Sequence, residues 1–243
     1  LAGSREGISK DRWVKLSIII PAFNEERTIE EIVRQVMAVD LGLPKELIVV
    51  DDGSTDKTPE LLKGLAEAYP EIKVIFQREN QGKGAAIRAA LHLVTGDVVI
   101  IQDADLEYDP RDYPRLLAPI LEGRADVVFG NRFHGGPHRV LYFWHAVGNW
   151  LVTTLCNMLT NLNLSDMEVG YKVFRTEVLK RIRLTSNRFG FEPEVTVKVA
   201  RQRWRIYEVP ISYFGRTYGE GKKITWKDGV AALYHILRFR FFD

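Results

Sequence analysis

The chain has 243 residues, of which 46% are hydrophobic and 27% charged, and its formal net charge is +2. That length allows one large domain or two small ones with a sizeable core, and the near-balanced charge argues against bulk nucleic-acid binding. A single cysteine, Cys156, excludes an internal disulfide framework and a cysteine-rich zinc site. Its apolar surroundings point to a buried, inert thiol. No signal peptide is visible, and Leu1 marks an edge before which a targeting segment could have been lost.

Lys15 to Pro21 reads as a β-branched strand ended by Pro21. Thr28 to Val39 has helical spacing, with Ile29, Ile32, Val33 and Val36 on one face. A second strand, Glu46 to Val50, is closed by Asp51-Asp52-Gly53-Ser54, and a helix follows from Thr58 to about Tyr69 with Pro59 at its first position. Lys73 to Gln77 and Val98 to Gln102 are further strands on either side of a helix at Gly82 to Val94. A helix at Tyr113 to Glu122 precedes a strand at Val127 to Gly130. Strands alternating with helices in this way imply βαβ units and a mostly parallel sheet covered on both faces.

Beyond Asn131 the pattern changes. Val140 to Ser165 contains no Asp, Glu, Lys or Arg, yet its His145, Gly148, Asn149, Thr153, Thr154, Asn157 and Asn163 are too polar for a membrane span. A helix buried in the protein or lying on its surface fits better. A strand at Tyr171 to Arg175, a helix near Pro193 to Arg203, a strand at Arg205 to Ile211, a Gly- and Lys-rich loop at Gly215 to Lys223 and a basic helix at Trp226 to Phe242 complete the chain. With no repeat or linker, residues 1–243 read as one domain. Residues of about 15–130 form its nucleotide-binding half and 131–243 its acceptor-side half.

The chemistry gathers at the ends of strands. Ligands of open parallel sheets bind beyond the carboxyl ends of the strands, where Pro21-Ala22-Phe23-Asn24-Glu25, Asp51-Asp52-Gly53-Ser54 and Asp103-Ala104-Asp105 all lie. Alternate residues of an extended chain point the same way, so Asp103, Asp105 and Glu107 are expected to aim at one point. Converging anions need a cation, and carboxylate oxygens suit Mg²⁺ or Mn²⁺. Neither a Gly-x-x-x-x-Gly-Lys-Ser/Thr phosphate loop nor a Gly-x-Gly-x-x-Gly fingerprint is present, which sets aside P-loop enzymes and ordinary dinucleotide dehydrogenases. The five histidines form no metal pattern.

Those three clusters, joined in chain order by Gly96-Asp97-Val98, Asp103-Ala104-Asp105-Leu106-Glu107, Gly130-Asn131-Arg132 and Asp166-Met167-Glu168-Val169-Gly170-Tyr171-Lys172, form a series. The series resembles family 2 glycosyltransferases of the GT-A fold, in the group of dolichol-phosphate mannosyltransferases and bacterial polyprenyl-phosphate sugar transferases. It spans roughly Lys15 to Ile224. The resemblance implies a Rossmann-like, mostly parallel sheet with a C-terminal acceptor-side extension. It also implies inversion at the anomeric carbon and a nucleoside diphosphate sugar donor.

Carried over, the resemblance puts Pro21, Phe23 and Glu25 against the nucleoside, with Phe23 where a Tyr is common. Val50, Asp51 and Asp52 would flank base and ribose, although Asp before Gly is also a good turn residue. Asp103 and Asp105 would approach the diphosphate and its metal, Ala104 would leave room for the sugar, and Glu107 would be a third metal ligand where relatives often carry Gln. Arg132 would face phosphate or solvent. Arg216 and Lys222, six apart in a loop resembling the group's mobile loop, would close over the diphosphate and stabilise the leaving group.

A lipid phosphate acceptor is already ionised and needs no base. A hydroxyl acceptor, as in transfer to a saccharide during cell-envelope glycan synthesis, needs a carboxylate such as Asp166, Glu192 or Glu194. Asp166 could equally position the acceptor. The aromatic, cationic C-terminal helix and the aromatic segment after Arg139 suit either core packing or a membrane interface. They point to a peripheral enzyme at the cytoplasmic face acting on a polyprenyl phosphate. A non-catalytic nucleotide-sugar-binding module is the reading from another class, and the intact acidic motif and cationic loop weigh against it.

Overall fold

The computed structural model describes residues 14–140, 142–188, 190–220 and 226–242. Its strands are β1 (Leu16–Ala22), β2 (Lys45–Asp51), β3 (Ile72–Phe76), β4 (Val98–Ile101), β5 (Val127–Asn131), β6 (Lys172–Arg175) and β7 (Ile206–Pro210). Its helices are α1 (Ile29–Ala38), α2 (Thr58–Ala68), α3 (Lys83–Leu91), α4 (Tyr113–Leu121), α5 (Phe143–Thr160), α6 (Thr176–Arg181), α7 (Phe191–Arg201) and α8 (Trp226–Phe241). The strands form one sheet in the order β3-β2-β1-β4-β6-β5-β7, so both halves of the chain share it. β6 alone runs antiparallel, pairing with β4 and β5, while the other strand pairs are parallel.

Burial explains the run-like composition of the strands. Every residue of β4 is buried, as are six of the seven in β1, because helices cover both faces of a parallel sheet. On α1 the buried residues are Ile29, Ile32, Val33 and Val36, the face expected from the spacing. Pro21 does not end β1, which continues to Ala22. Ile19 O accepts from Gln102 N on the β4 side, and Ala22 O accepts from Asp52 N on the β2 side. Alternation therefore turns Pro21 toward β4, whose pairing has already stopped at Ile19, so no ladder bond needs its missing N–H.

The reversal of β6 has a consequence for function. It brings the segment before Lys172 back to the edge where β1, β2, β4 and β5 end. Gly170 packs there so closely that a Cβ on it would lie 2.1 Å from Asp103 Oδ2. Beneath that edge, the buried Gln102 side chain accepts from Tyr113 Oη at 2.8 Å and Tyr171 Oη at 2.5 Å and donates to Asp103 O at 2.9 Å. This fixes the backbone where the acidic motif leaves β4.

A second buried polar node ties the opposite end of the sheet together. Glu46 accepts from Ser17 Oγ (2.6 Å), Thr95 N (2.7 Å), Lys73 Nζ (2.9 Å) and Lys15 Nζ (3.1 Å). Burial would raise this carboxyl, but these donors, joined by Thr95 Oγ1, outweigh that effect and hold it well below the ordinary carboxylate range. A depressed folded value gives stability that is full above the unfolded pKa of about 4.3 and is lost as pH falls below it. Glu46→Leu should cost about 2–3 kcal/mol at pH 7 and make stability less sensitive to acid. Urea denaturation of both proteins at pH 7 and pH 4 measures the two effects.

Candidate active site

At the carboxyl ends of β1 and β2, the loops that follow are laced together. Asn24, at φ 53°, takes Thr55 N on its Oδ1 at 2.8 Å, and Glu25 N donates to Thr58 Oγ1 at 2.9 Å. Asp51 is buried, and its Oδ1 has no hydrogen-bond partner among the described residues. Burial raises the carboxyl above its ordinary value. Asp52 acts differently. Its two oxygens accept from Gln81 N (2.9 Å) and Gly82 N (2.7 Å), clasping β2 to the entry of α3. Val50 points into the core and is fully buried, so it can offer a ligand only backbone. Pro21 and Phe23 remain partly exposed on the same rim.

The acidic motif is not gathered on one cation. Alternation requires an extended chain, but residues 104–107 form a turn with Leu106 at φ 62°, and Glu107 N donates to Asp105 Oδ1 at 3.1 Å. The acids are divided between two cations. Arg216 lies across Asp105 (Nη2 to Oδ2, 2.9 Å) and Glu107 (Nε to Oε1, 3.2 Å), with its Nη1 4.0 Å from Glu25 Oε2. Asp103 Oδ1 instead meets Lys83 Nζ at 2.7 Å, and Lys83 reaches Glu192 Oε1 at 2.8 Å. Among the described residues no three His, Cys, Asp or Glu side chains form a ready-made metal site. Asp103 takes a different cation from Asp105 and Glu107, while lying near enough to Asp105 to repel it. Burial and repulsion from Asp103 and Glu107 still push Asp105 up to about 7 against the pull of Arg216.

Arg216 reaches this place because residues 213–216 run beside the motif. Phe214 N donates to Glu107 O at 2.8 Å, Tyr213 Oη donates to Glu107 Oε2 at 3.0 Å, and Tyr108 stacks on Tyr171 at 4.7 Å. Lys222 lies outside the described residues. Ala104 is buried in the turn.

Arg132 follows β5 and is gripped by Asp166 through two hydrogen bonds, Nε to Oδ2 at 2.6 Å and Nη2 to Oδ1 at 2.7 Å. Its guanidinium carbon is 5.2 Å from the Tyr213 ring. With Asp166 fully buried and both oxygens on Arg132, its geometry is that of a positioning residue rather than a base. Glu194 is equally committed: it accepts from Thr185 N, Thr185 Oγ1, Ser186 N and Lys198 Nζ within 2.6–2.8 Å. Lys83, Tyr213 and Glu168 escaped sequence reasoning. The Gly82-Lys83-Gly84 run opening α3 was the visible signal for the first.

The family model for "Glycosyl transferase family 2" matches residues 17–183, well over half of the chain. The chain belongs to glycosyl transferase family 2. The dolichol-phosphate mannosyltransferase of Pyrococcus furiosus is 30% identical over 236 residues, covering 93% of this chain and 63% of that protein. The dodecaprenyl-phosphate galacturonate synthase of Rhizobium johnstonii is 28% identical over 215 residues, covering 86% and 62%. The chain thus spans a little under two thirds of these relatives' length. The glucosyl-3-phosphoglycerate synthase of Mycobacterium tuberculosis, solved with Mn²⁺, UDP and phosphoglyceric acid, superposes with a TM-score of 0.74. Its identity is 22%, and the match covers 95% of this chain and 80% of that one. The fold is GT-A, as the family 2 resemblance implied. The family match ends at Arg183, before α7 and the segment carrying Arg216.

Asp166→Asn leaves Arg132 buried without its counter-ion and should cost about 3 kcal/mol of stability, read by urea denaturation. A carboxylate serving only as a base would leave stability unchanged.

Proposed function

We propose that this chain transfers a hexose, with inversion, from a nucleoside diphosphate sugar to a polyprenyl phosphate, aided by Mg²⁺ or Mn²⁺. The observation that carries this reading is Arg216 laid across Asp105 and Glu107 at the carboxyl edge of the sheet. That pair of carboxylates fits a hard divalent cation, because a cation already stands between them, and burial together with repulsion from Asp103 and Glu107 raises Asp105 despite Arg216. Asp105 and Glu107 would hold the metal, whose charge would offset that of the diphosphate. A guanidinium and a divalent cation on the same two carboxylates would repel each other. Arg216 therefore moves to the diphosphate when donor and metal arrive.

This chain's own groups then divide the work. Pro21, Phe23 and Glu25 flank the nucleoside, and the unpartnered Asp51 Oδ1 accepts an N–H or O–H from base or ribose. An oxygen of the acceptor phosphate attacks the anomeric carbon as the carbon–diphosphate oxygen bond breaks. Arg216, joined by Lys222, meets the charge that collects on the departing diphosphate. Arg132, oriented by Asp166, faces the incoming phosphate. Asp166 and Glu194 are fully engaged and Glu192 is paired with Lys83, which favours an acceptor that needs no deprotonation.

A lipid acceptor requires access to a bilayer. Among the described residues no helix is long and apolar enough to cross a membrane. However, α5 exposes Phe143, Trp144, Trp150 and Met158, and α8 exposes Val230, Tyr234 and Phe241 beside Arg238 and Arg240. Aromatic and basic helices of this kind lie in the interface of anionic membranes, so we place the enzyme peripherally at the cytoplasmic face.

The test is a panel of UDP- and GDP-sugars with Mn²⁺, assayed with and without polyprenyl phosphate. Labelled sugar should enter the organic phase only with the lipid, and Asp105→Asn or EDTA should lower transfer by about two orders of magnitude or more. Full activity in EDTA contradicts the metal assignment, and transfer to saccharides alone contradicts the lipid acceptor. Co-sedimentation with anionic vesicles should weaken when Trp144 and Trp150 are both changed to Ala. Unchanged binding would assign that face to another partner.

A further inference from the structure

The chain keeps its strand-like path for a few residues beyond β7. Ile211 N donates to Asn131 O at 3.1 Å, and Ser212 N donates to Asp112 Oδ2 at 2.7 Å. Tyr213 then joins two ladders at once. It bridges His138 in parallel, with its N–H on Pro137 O (3.0 Å) and its carbonyl accepting from Arg139 N (2.9 Å). It also bridges Tyr108 in antiparallel fashion, and Phe214 N on Glu107 O holds that second ladder closed. Tyr213 is therefore the middle of a short ribbon. The acidic motif flanks it on one side and the segment ahead of α5 on the other.

A backbone bonded on both sides fixes where the side chain goes. Tyr213 Oη donates to Glu107 Oε2 at 3.0 Å, while Glu107 Oε1 accepts from Arg216 N (3.1 Å) and Nε (3.2 Å). The two oxygens of Glu107 thus have different partners, one a cation and the other a neutral hydroxyl. The Tyr213 ring centre lies 5.2 Å from the Arg132 guanidinium carbon and 5.7 Å from the Tyr108 ring, which stacks on Tyr171. A guanidinium is attracted by the electron-rich face of an aromatic ring, and Asp166 grips the same guanidinium through Nε and Nη2. One side chain therefore touches a carboxylate of the donor side and the cation assigned to the acceptor side.

We propose that Tyr213 is a positioning residue shared by the two substrate sites. Its hydroxyl holds Glu107 toward the metal after Arg216 has moved, and its ring holds Arg132 toward the acceptor phosphate. This rests on the reading of the donor and acceptor sites given above. When the Arg216 guanidinium leaves Oε1, Oε2 is still fixed by Tyr213. Hydrogen bonds from outside the ligand set orient metal-binding carboxylates and account for much of a site's affinity. Without that bond the metal itself would have to order the Glu107 side chain.

Two variants separate the roles. Tyr213→Phe keeps the ring and removes the hydroxyl, whereas Tyr213→Met removes the ring. Electron paramagnetic resonance of Mn²⁺ titrated with UDP or GDP present reads the first role, and KM for polyprenyl phosphate at saturating donor reads the second. Tyr213→Phe should weaken Mn²⁺ binding about tenfold and leave the lipid KM within about twofold of the parent. Tyr213→Met should weaken Mn²⁺ binding equally and also raise the lipid KM about three- to tenfold. A tyrosine that only supports the fold would lower the urea midpoint of both variants and leave both readouts at the parent's values, which overturns the proposal. So does Mn²⁺ binding by Tyr213→Phe within about twofold of the parent, or a lipid KM that is the same in both variants. Should Tyr213→Met not fold, the Mn²⁺ affinity of Tyr213→Phe decides alone. If the parent binds no Mn²⁺ with either nucleotide, or makes no lipid-linked sugar, the reading of the substrate sites has itself failed, and the proposal with it.

Discussion

Carboxylates repel, and at one edge of its sheet this fold gathers five of them around two cations: Glu25, Asp103, Asp105, Glu107 and Glu192. Two cations from distant parts of the chain settle that repulsion. Arg216 serves Asp105 and Glu107 and approaches Glu25, and Lys83 serves Asp103 and Glu192. In a partly buried setting such charges must be matched or the edge would not hold together, which makes each cation a structural requirement as well as a chemical one. A site balanced in this way can exchange one cation for another with little change in its surroundings. That is the physical basis for reading Arg216 as the group that yields to a metal ion and then serves the diphosphate.

Topology decides which residues can take part. Parallel strands put β1, β2, β4 and β5 ends at a common edge, and the reversed β6 returns the 166–171 segment to it. That reversal supplies Asp166 for Arg132 and the close contact of Gly170 with Asp103. Gln102 below the edge joins Tyr113 and Tyr171, so the motif leaves β4 from a firmly bonded base. The buried thiol of Cys156 plays no part there: burial pushes its pKa up to about 12, in keeping with an inert core residue.

The alternation of strands and helices was legible because each element carried its own period and its own punctuation. Helix α1 and the Pro-initiated α2 show this, and the apolar run of β4 needed only burial to explain it. α6 was not legible, since six residues between β6 and Ile182 are too few for a period to show. At the chain end of β4 the strand period breaks down for a physical reason. Period two holds only while the chain stays extended, and a left-handed Leu106 ends that condition in the middle of the motif. The strand-end location of Asp51, Asp103, Asp105 and Arg132 followed from sheet physics, but the choice of partner for each did not. Lys83 and Glu192 meet only through tertiary packing, and nothing local in the sequence announces such a pair.

The central claim is that Asp105 and Glu107 form a cation site that Arg216 fills until donor and metal arrive. Mn²⁺ titration followed by electron paramagnetic resonance tests this without requiring turnover. The parent should bind Mn²⁺ weakly alone and at least about tenfold more tightly with a nucleoside diphosphate, whereas Arg216→Ala should bind it tightly alone. Mn²⁺ binding that is weak and equal in both proteins, with and without nucleotide, would contradict the claim.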